Sequence, residues 1–499
     1  MDAPERLDPQ PAPAASAAVR GEMAPPLESP RPQVVAPASV QGGGSRLVPI
    51  AVGAALFMEF IDSTALSTAL PTLSVALGAD PVHLKLALTS YLLALAVGVP
   101  ASAWTADRIG PRRVFIGAML VFLLGSVLCG FSRDLPQLVG ARLLQGLGGS
   151  MMTPVGRLIV VGSSPRERLV SAMTWFTTPA LVGPLLGPPL AGLILARFSW
   201  PWIFFINLPV GVAAIWAVTR YVPKLRQAQP GRFDAGGFVL STIAIAGAVI
   251  VGEVVGLNLI PVWLQIAVAA ATLLAAALYL RHARRTPFPV LDLSIFRHAT
   301  FARSMAGATL VRLGLGATPL LLPLLLQVGL GWSPARAGLF TVLTAAGALL
   351  TKAVVGRVLR RFGFRRVLIF SAVATGVLTA APAMLAFGVS PWVLAPLVFL
   401  GGLVRSLQFS AANTLAYAET SRTEIGAASS LSTVVQQLGL SFGVSFGGLV
   451  LHLARGSSDN ALTPDRFVAP FLLVGVTSLA AAPIYLRLAR DAGADLGGR

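Results

Sequence analysis

Two carboxylates three residues apart, Glu59 and Asp62, stand inside an apolar run, in Met58-Glu59-Phe60-Ile61-Asp62-Ser63-Thr64. If the run is a helix, both point to a similar face and lie roughly 17 and 21 Å along it. A charged carboxylate that deep in a bilayer is costly unless it faces water or a cation. Such a group can bind and release a proton as its surroundings change; the plainer alternative is a structural carboxylate bonded to neighbouring helices. Arg142, in Arg142-Leu143-Leu144-Gln145-Gly146-Leu147-Gly148-Gly149, enters its own run from the opposite end and lies roughly 9 Å deep, level with Asp62. Glu59, Asp62 and Arg142 are the expected proton-coupling residues, with Arg142 holding Asp62 in one state and releasing it in another. Snorkelling to the nearer surface is the other course open to Arg142.

Arg312 and Arg405 fall roughly 15 and 20 Å into later runs. Buried cations near the midplane suit an anionic substrate or a carboxylate partner such as Glu59 or Asp62. With Glu59, Gln145 and Gln327 they form the expected substrate-binding set. Glu253, Lys352 and Arg157 lie nearer run ends and are expected to snorkel.

Other patterns concern movement. Gly183-Pro184-Leu185-Leu186-Gly187-Pro188-Pro189 combines small residues, which let backbones meet, with prolines that bend a helix and free carbonyls. It reads as a pliant seam or as an ordinary bent helix. Gly146, Gly148 and Gly149 imply tight packing around the helix of Arg142. In Asp107-Arg108-Ile109-Gly110-Pro111-Arg112-Arg113, Gly110 permits a turn, and Asp107 is available to cap a helix or bind an arginine. Arg108, Arg112 and Arg113 by themselves would serve as topological anchors.

The elements that must carry these residues are membrane-spanning. Of 499 residues 55% are hydrophobic and 12% charged, about half the charge of a soluble protein. Fourteen apolar runs are long enough to span: 48–70, 85–106, 114–132, 136–160, 169–195, 201–219, 236–256, 260–280, 302–327, 334–355, 367–388, 392–415, 426–453 and 467–486. Most of the 38 Lys and Arg gather in every second connection, including Arg220, Lys224, Arg226 and Arg232, and Arg357, Arg360, Arg361, Arg365 and Arg366. The positive-inside rule puts both termini in the cytoplasm. The net charge of +18 is thus a topology signal, with attraction to anionic lipid secondary, and no nucleic-acid partner is expected. Residues 1–46, rich in Pro, Ala and Ser with scattered acids, read as a disordered cytoplasmic tail and not as a secretory or transit signal. The lone Cys129 excludes an internal disulfide, four scattered His offer no metal spacing, and no phosphate-binding loop occurs. No cofactor is expected, the proton gradient being the drive.

One internal echo divides the chain. Ala106-Asp107-Arg108-Ile109-Gly110-Pro111-Arg112-Arg113-Val114 returns as Leu359-Arg360-Arg361-Phe362-Gly363-Phe364-Arg365-Arg366-Val367, each copy after the second span of a six-span block. Many secondary transporters are built this way, with substrate between the halves. The expected organisation is a tail 1–46, a six-helix bundle 47–220, a two-helix insert 221–300, a second bundle 301–487 and a tail 488–499. A fainter echo, Arg142 and Gln145 against Arg405 and Gln408, lies ten residues out of register with the first.

These residues resemble the fourteen-span drug:proton antiporters of the major facilitator superfamily, the EmrB/QacA type, over residues 47–487. Asp62-Ser63-Thr64-Ala65-Leu66-Ser67-Thr68-Ala69-Leu70-Pro71 matches the first-span signature, with Ser67 where the family has Asn. The loop signature matches at Asp107, Arg108, Gly110, Arg112 and Arg113, with Ala103 in place of Gly, and the fourth-span arginine motif at Arg142, Gln145 and Gly146. The antiporter motif of the fifth span is incomplete: Pro179 and Pro188 occupy glycine positions. Trp202-Ile203-Phe204-Phe205-Ile206-Asn207-Leu208-Pro209-Val210-Gly211 and Leu326-Gln327-Val328-Gly329-Leu330-Gly331-Trp332-Ser333-Pro334 match as well. The resemblance implies an all-α polytopic membrane protein with the major facilitator fold, two six-helix bundles plus two linker helices. It implies alternating access in a bacterial inner membrane, with Asp62 and Arg142 as coupling residues and Gly183-Pro184 to Gly187-Pro188 as the antiport seam.

The expected function is proton-coupled export of a small drug-like molecule by a monomer. Export of an organic anion or metal-carboxylate complex is the alternative, followed by uptake symport and a non-transporting sensor. No nucleophile and base fall at useful spacing for an enzyme.

Overall fold

A computed structural model describes residues 47–165, 168–223, 232–254, 261–421, 424–455 and 462–493. The expected N-terminal tail, the loop cations Lys224 and Arg226, and the end of the C-terminal tail lie outside the described residues. Among those described, every regular element is helical. With no water in the hydrocarbon to satisfy peptide groups, a lone spanning segment has only the helix available.

Fourteen long helices coincide with the fourteen expected spans. They are α1 (Leu47–Ala76), α2 (Lys85–Ile109), α3 (Pro111–Gly130), α4 (Leu135–Ser163), α5 (Leu169–Arg197), α6 (Trp202–Tyr221), α7 (Ala235–Val254) and α8 (Val262–Ala283). They continue as α9 (Ala299–Gly329), α10 (Pro334–Phe362), α11 (Phe364–Phe387), α12 (Pro391–Ala416), α13 (Ile425–Arg455) and α14 (Pro464–Leu486). Thirteen are long and apolar enough to cross a membrane by composition alone. The other, α4, has 29 residues but carries Arg142, Gln145, Thr153, Arg157 and a run of glycines, which dilute its apolarity. It is instead clasped by protein. A Cβ on Gly148 would stand 2.5 Å from the Phe122 nitrogen of α3, and one on Gly146 would stand 2.6 Å from the Tyr91 carbonyl of α2. Only glycine lets α4 lie this close to both neighbours.

Helices α1–α6 form one bundle, with α1 packed on α5 and α4 between α2 and α3. Helices α9–α14 form the second, with α9 packed on α13 and α10 on α12. The pair α7–α8 lies outside both, and α7 touches α2 of the first bundle and α13 of the second.

The internal echo is also a structural one. Gly110 (φ 101°) turns the chain from α2 into α3, and Gly363 (φ 78°) turns it from α10 into α11. Two residues on, Arg112 donates to the Thr219 carbonyl near the end of α6, and Arg365 donates to the Leu486 carbonyl at the end of α14, 2.7 Å away. Each arginine thus satisfies a free carbonyl at a helix C-terminus, where the helix dipole also favours a cation. Asp107 departs from expectation: among the described residues it makes no hydrogen bond or ion pair.

The face bearing these arginines is the basic face, and the opposite one the far face. At the far face one apolar core runs through both bundles, including Leu70, Leu84 and Phe204 from the first and Leu324, Leu451 and Phe471 from the second. Toward the basic face each bundle has its own core, one around Phe115, Phe122 and Phe176, the other around Leu368, Leu415 and Tyr485. The bundles are therefore joined at the far face, the arrangement of a two-bundle protein closed on that side.

Candidate functional site

Asp62 lies halfway along α1, wholly buried. Its Oδ2 accepts from Arg142 Nη1 at 2.5 Å, and its Oδ1 accepts from Gln145 Nε2 at 2.9 Å and Asn207 Nδ2 at 2.8 Å. Gln145 and Asn207 both also donate to Ser126 Oγ, at 2.7 and 3.1 Å. Arg142 uses its Nε on the Ala87 carbonyl at 3.2 Å, and its guanidinium lies 4.2 Å from the centre of the Tyr91 ring. Five of the six helices of the first bundle, with α5 the exception, thus converge on one carboxylate. A buried ion pair recovers its desolvation cost only when its remaining lone pairs and protons are matched, and here they are. The expected pairing of Asp62 with Arg142 is present, and the alternative of a snorkelling Arg142 is not what this structure holds.

Glu59, one turn earlier, goes elsewhere. Thr153 Oγ1 of α4 stands 3.5 Å from its Oε2, and among the described residues no cation lies within 4.0 Å of it. The two carboxylates share a helix but not their partners.

The seam residues pack directly on this part of α1. A Cβ on Gly183 would stand 2.7 Å from Phe60 Cβ, and one on Gly187 would stand 2.1 Å from Thr64 Oγ1. The prolines 179, 184, 188 and 189 all lie inside α5 without ending it. Pro188 and Pro189 meet Gly338 of α10, so the same seam also touches the second bundle.

In the second bundle Arg312 is 2% exposed. Its Nη2 donates to Asn413 Oδ1 at 3.0 Å, but Nε and Nη1 are buried without a hydrogen-bond partner. Arg405 donates from Nη2 to Thr379 Oγ1 at 2.8 Å, and its Nε is likewise unmatched. Neither pairs with Glu59 or Asp62. The fainter echo has a counterpart here, because Gln408 accepts from Ser371 of α11 as Gln145 binds Ser126 of α3. The arginines nevertheless sit at different depths, seven residues into α4 and fourteen into α12.

Three expectations change. Gln145, grouped with substrate-binding residues, is fully buried and spends its amide on Asp62 and Ser126. Gln327 donates to the Thr68 carbonyl of α1 at 2.8 Å and so belongs to the closed contact between bundles. Glu253 does not snorkel: it is 5% exposed and lies 3.1 Å from Lys85 Nζ, whose own side chain is fully buried. Lys352 and Arg157 are exposed.

Sequence reasoning missed Asn207, Ser126 and Lys85. Asn207 had a signal, a lone amide in the run Ile203–Gly211. Ser126 and Lys85 had none, since a serine is common in spans and a lysine at a span end reads as an anchor.

A second ion pair closes the far face, Arg455 Nη1 to Asp80 Oδ2 at 2.5 Å. Burial alone would raise the Asp80 carboxyl, but hydrogen bonds from Arg455 and the Val82 amide, with the Arg455 charge, hold it below its ordinary value. A depressed carboxyl stabilises the closed contact above its unfolded pKa and loses that effect only as pH falls through the lower one. Between pH 5 and 8, far-face accessibility measured by thiol labelling should therefore not change through this pair.

The fold and this buried charge cluster define a major facilitator superfamily transporter. The family model for the Major Facilitator Superfamily matches residues 52–296 and 304–497, and the chain belongs to that family. It is a multi-pass inner-membrane transport protein and not an enzyme. Among its relatives are the MdtD proteins of Klebsiella pneumoniae, 38% identical over 444 residues (88% of this chain, 94% of that one), and of Escherichia coli strain K12 / DH10B, 38% identical over 439 residues (87% and 93%). Both are provisionally named as multidrug resistance proteins. Crystal structures of the nucleoside transporter NupG share the fold, with TM-scores of 0.61 and 0.60 at 14% identity, each covering 88% of this chain and 99% and 98% of theirs.

Proposed function

We propose that this transporter exports small drug-like molecules in exchange for protons by alternating access, as a monomer with its basic face and both termini in the cytoplasm. The observation that carries this reading is the buried Asp62 cluster, in which a single carboxylate is matched by a cation and two amides. A proton on Asp62 removes the charge that holds Arg142. The guanidinium must then find other acceptors, and α1 and α4 are free to shift against each other. Glu59, without a cation of its own, is the carboxylate suited to a cationic cargo or a second proton. The names of the MdtD relatives agree with a drug-like cargo.

The experiment is expression in an efflux-deficient bacterium. Cells carrying the protein should exclude fluorescent lipophilic cations, and a protonophore should abolish the exclusion. Protonophore-sensitive accumulation inside the cells would indicate uptake symport instead.

A second reading, export of an organic anion, is favoured by Arg312, with two guanidinium nitrogens unmatched in a buried site. An uncompensated buried cation attracts an anionic group. If it serves the cargo, Arg312→Gln should weaken transport of organic acids about tenfold or more and spare lipophilic cations, since a hydrogen bond to a charged group contributes roughly 1.5–3 kcal/mol. Equal loss for both cargo types, read by uptake into inverted vesicles, would make Arg312 structural.

A further inference from the structure

The inserted pair α7–α8 takes no part in the Asp62 cluster, yet its one buried acid touches both bundles. Glu253, near the far end of α7, is 3.1 Å from Lys85 Nζ of α2, and its Oε1 accepts from Ser445 Oγ of α13. Lys85 Nζ also lies 3.4 Å from the Glu253 carbonyl. A niche on α13 admits the lysine stem: a Cβ on Gly448 would stand 2.6 Å from Lys85 Cδ. Lys85 is the first residue of α2, at the far face, and its side chain is wholly buried.

We propose that Glu253 is a positioning residue of the transport cycle, a latch by which the inserted pair holds α2 to α13 and keeps the far face closed. Alternating access requires α2 and α13 to part at the far face, because the shared apolar core there is built from both bundles. A carboxylate bonded on one side to α2 and on the other to α13 cannot keep both partners when they separate. One bond must break in every cycle, and the surviving one decides which bundle the insert travels with. Lys85 meets Glu253 twice, as an ion pair and through the Glu253 carbonyl, whereas Ser445 meets it through one hydroxyl, so α7 stays with the first bundle and releases the second. Lys85 and Glu253 then remain neutralised while the seam opens, and neither charge is left bare in the opening. The inserted pair is a working part of the gate and not a spacer between halves.

The latch is tested without knowledge of the cargo, and so independently of the proposed export. Spin labels on His83→Cys and Leu453→Cys report the distance across the seam by pulsed electron resonance on the full chain in nanodiscs, with Cys129 left buried. Glu253→Gln should increase the ratio of long to short distances by about tenfold, as expected when a closed-state contact is removed. Exchanging the charges, Lys85→Glu with Glu253→Lys, should restore the short population. A Glu253→Gln distribution matching the unmutated one would overturn the latch. An opened seam that the exchange leaves open would also overturn it, by assigning the effect to lost packing. Ser445→Ala, which keeps the ion pair and removes only the bond to the second bundle, should shift the ratio the same way. If Glu253→Gln does not insert, Ser445→Ala alone decides.

Discussion

Asp62→Asn should abolish gradient-driven transport while leaving the protein in the membrane. The carboxamide is nearly isosteric and can still accept at Oδ1 from Gln145 and Asn207, so the local shape survives. What is lost is the negative charge under Arg142 and the site for a proton. A coupled rate should fall by about two orders of magnitude or more, the usual effect of removing an essential proton-transfer group. Exchange of labelled cargo across a membrane without a gradient should persist, because it needs the two bundles to rock but needs no proton. Stability should fall too: removing one partner from a buried pair costs about 3–5 kcal/mol, since it strands the other charge. Adding Arg142→Gln should therefore recover much of the thermal stability and none of the coupling. If the double variant regained gradient-driven transport, the pair would be structural. Stability and coupling are thereby separated within one set of three proteins.

The next largest effect is expected at Gly183→Leu. A Cβ there would meet Phe60 Cβ at 2.7 Å and the Ile61 nitrogen at 3.2 Å, and backbone cannot rotate away as a side chain can. The substitution must push α5 off the stretch of α1 that bears Glu59 and Asp62. Overpacking costs typically ~1–3 kcal/mol, which a bundle of this size tolerates while still assembling. Transport should nevertheless fall about tenfold or more, because α5 also carries the contact of Pro188 with Gly338 of the second bundle. Gly183→Ala brings the same Cβ without the three further carbons of leucine and should lose activity to a smaller extent. Measured as cargo efflux per inserted molecule, activities of both variants equal to that of the unmutated protein would remove the α5 seam from the transport cycle.

Much of the architecture was legible because the bilayer leaves few options. Apolar runs of sufficient length became helices in order, and the arginine-rich connections fell on one face. The repeat was legible at Gly110 and Gly363 because both backbones need the same positive φ, and sequence records that need as glycine. Depth arithmetic brought Asp62 and Arg142 together because two rigid helices entering from opposite ends have predictable levels. The same arithmetic could not see around a helix. It puts Glu253 near a run end, from which a side chain can snorkel, whereas the side of α7 it occupies is covered by α2 and α13. Azimuth is a tertiary fact, set by which helices become neighbours, and the hydrophobic pattern is silent on it when every face is apolar. Asn207 and Ser126 were obscured for the same reason: their meaning lies wholly in facing Asp62. Gln327 is expected among the cargo residues, and its position in the closed far-face contact depends on the state in which the bundles are joined.

The central claim is that one carboxylate couples proton entry to cargo exit. The direct measurement is the lumenal pH of inverted membrane vesicles energised to an acidic interior, followed as lipophilic cations and organic acids are added in turn. At least one compound should discharge the gradient in vesicles bearing the unmutated protein and leave it intact in Asp62→Asn vesicles of equal protein content. Discharge of equal size in both would contradict it, because protons would then cross by a route that does not involve Asp62.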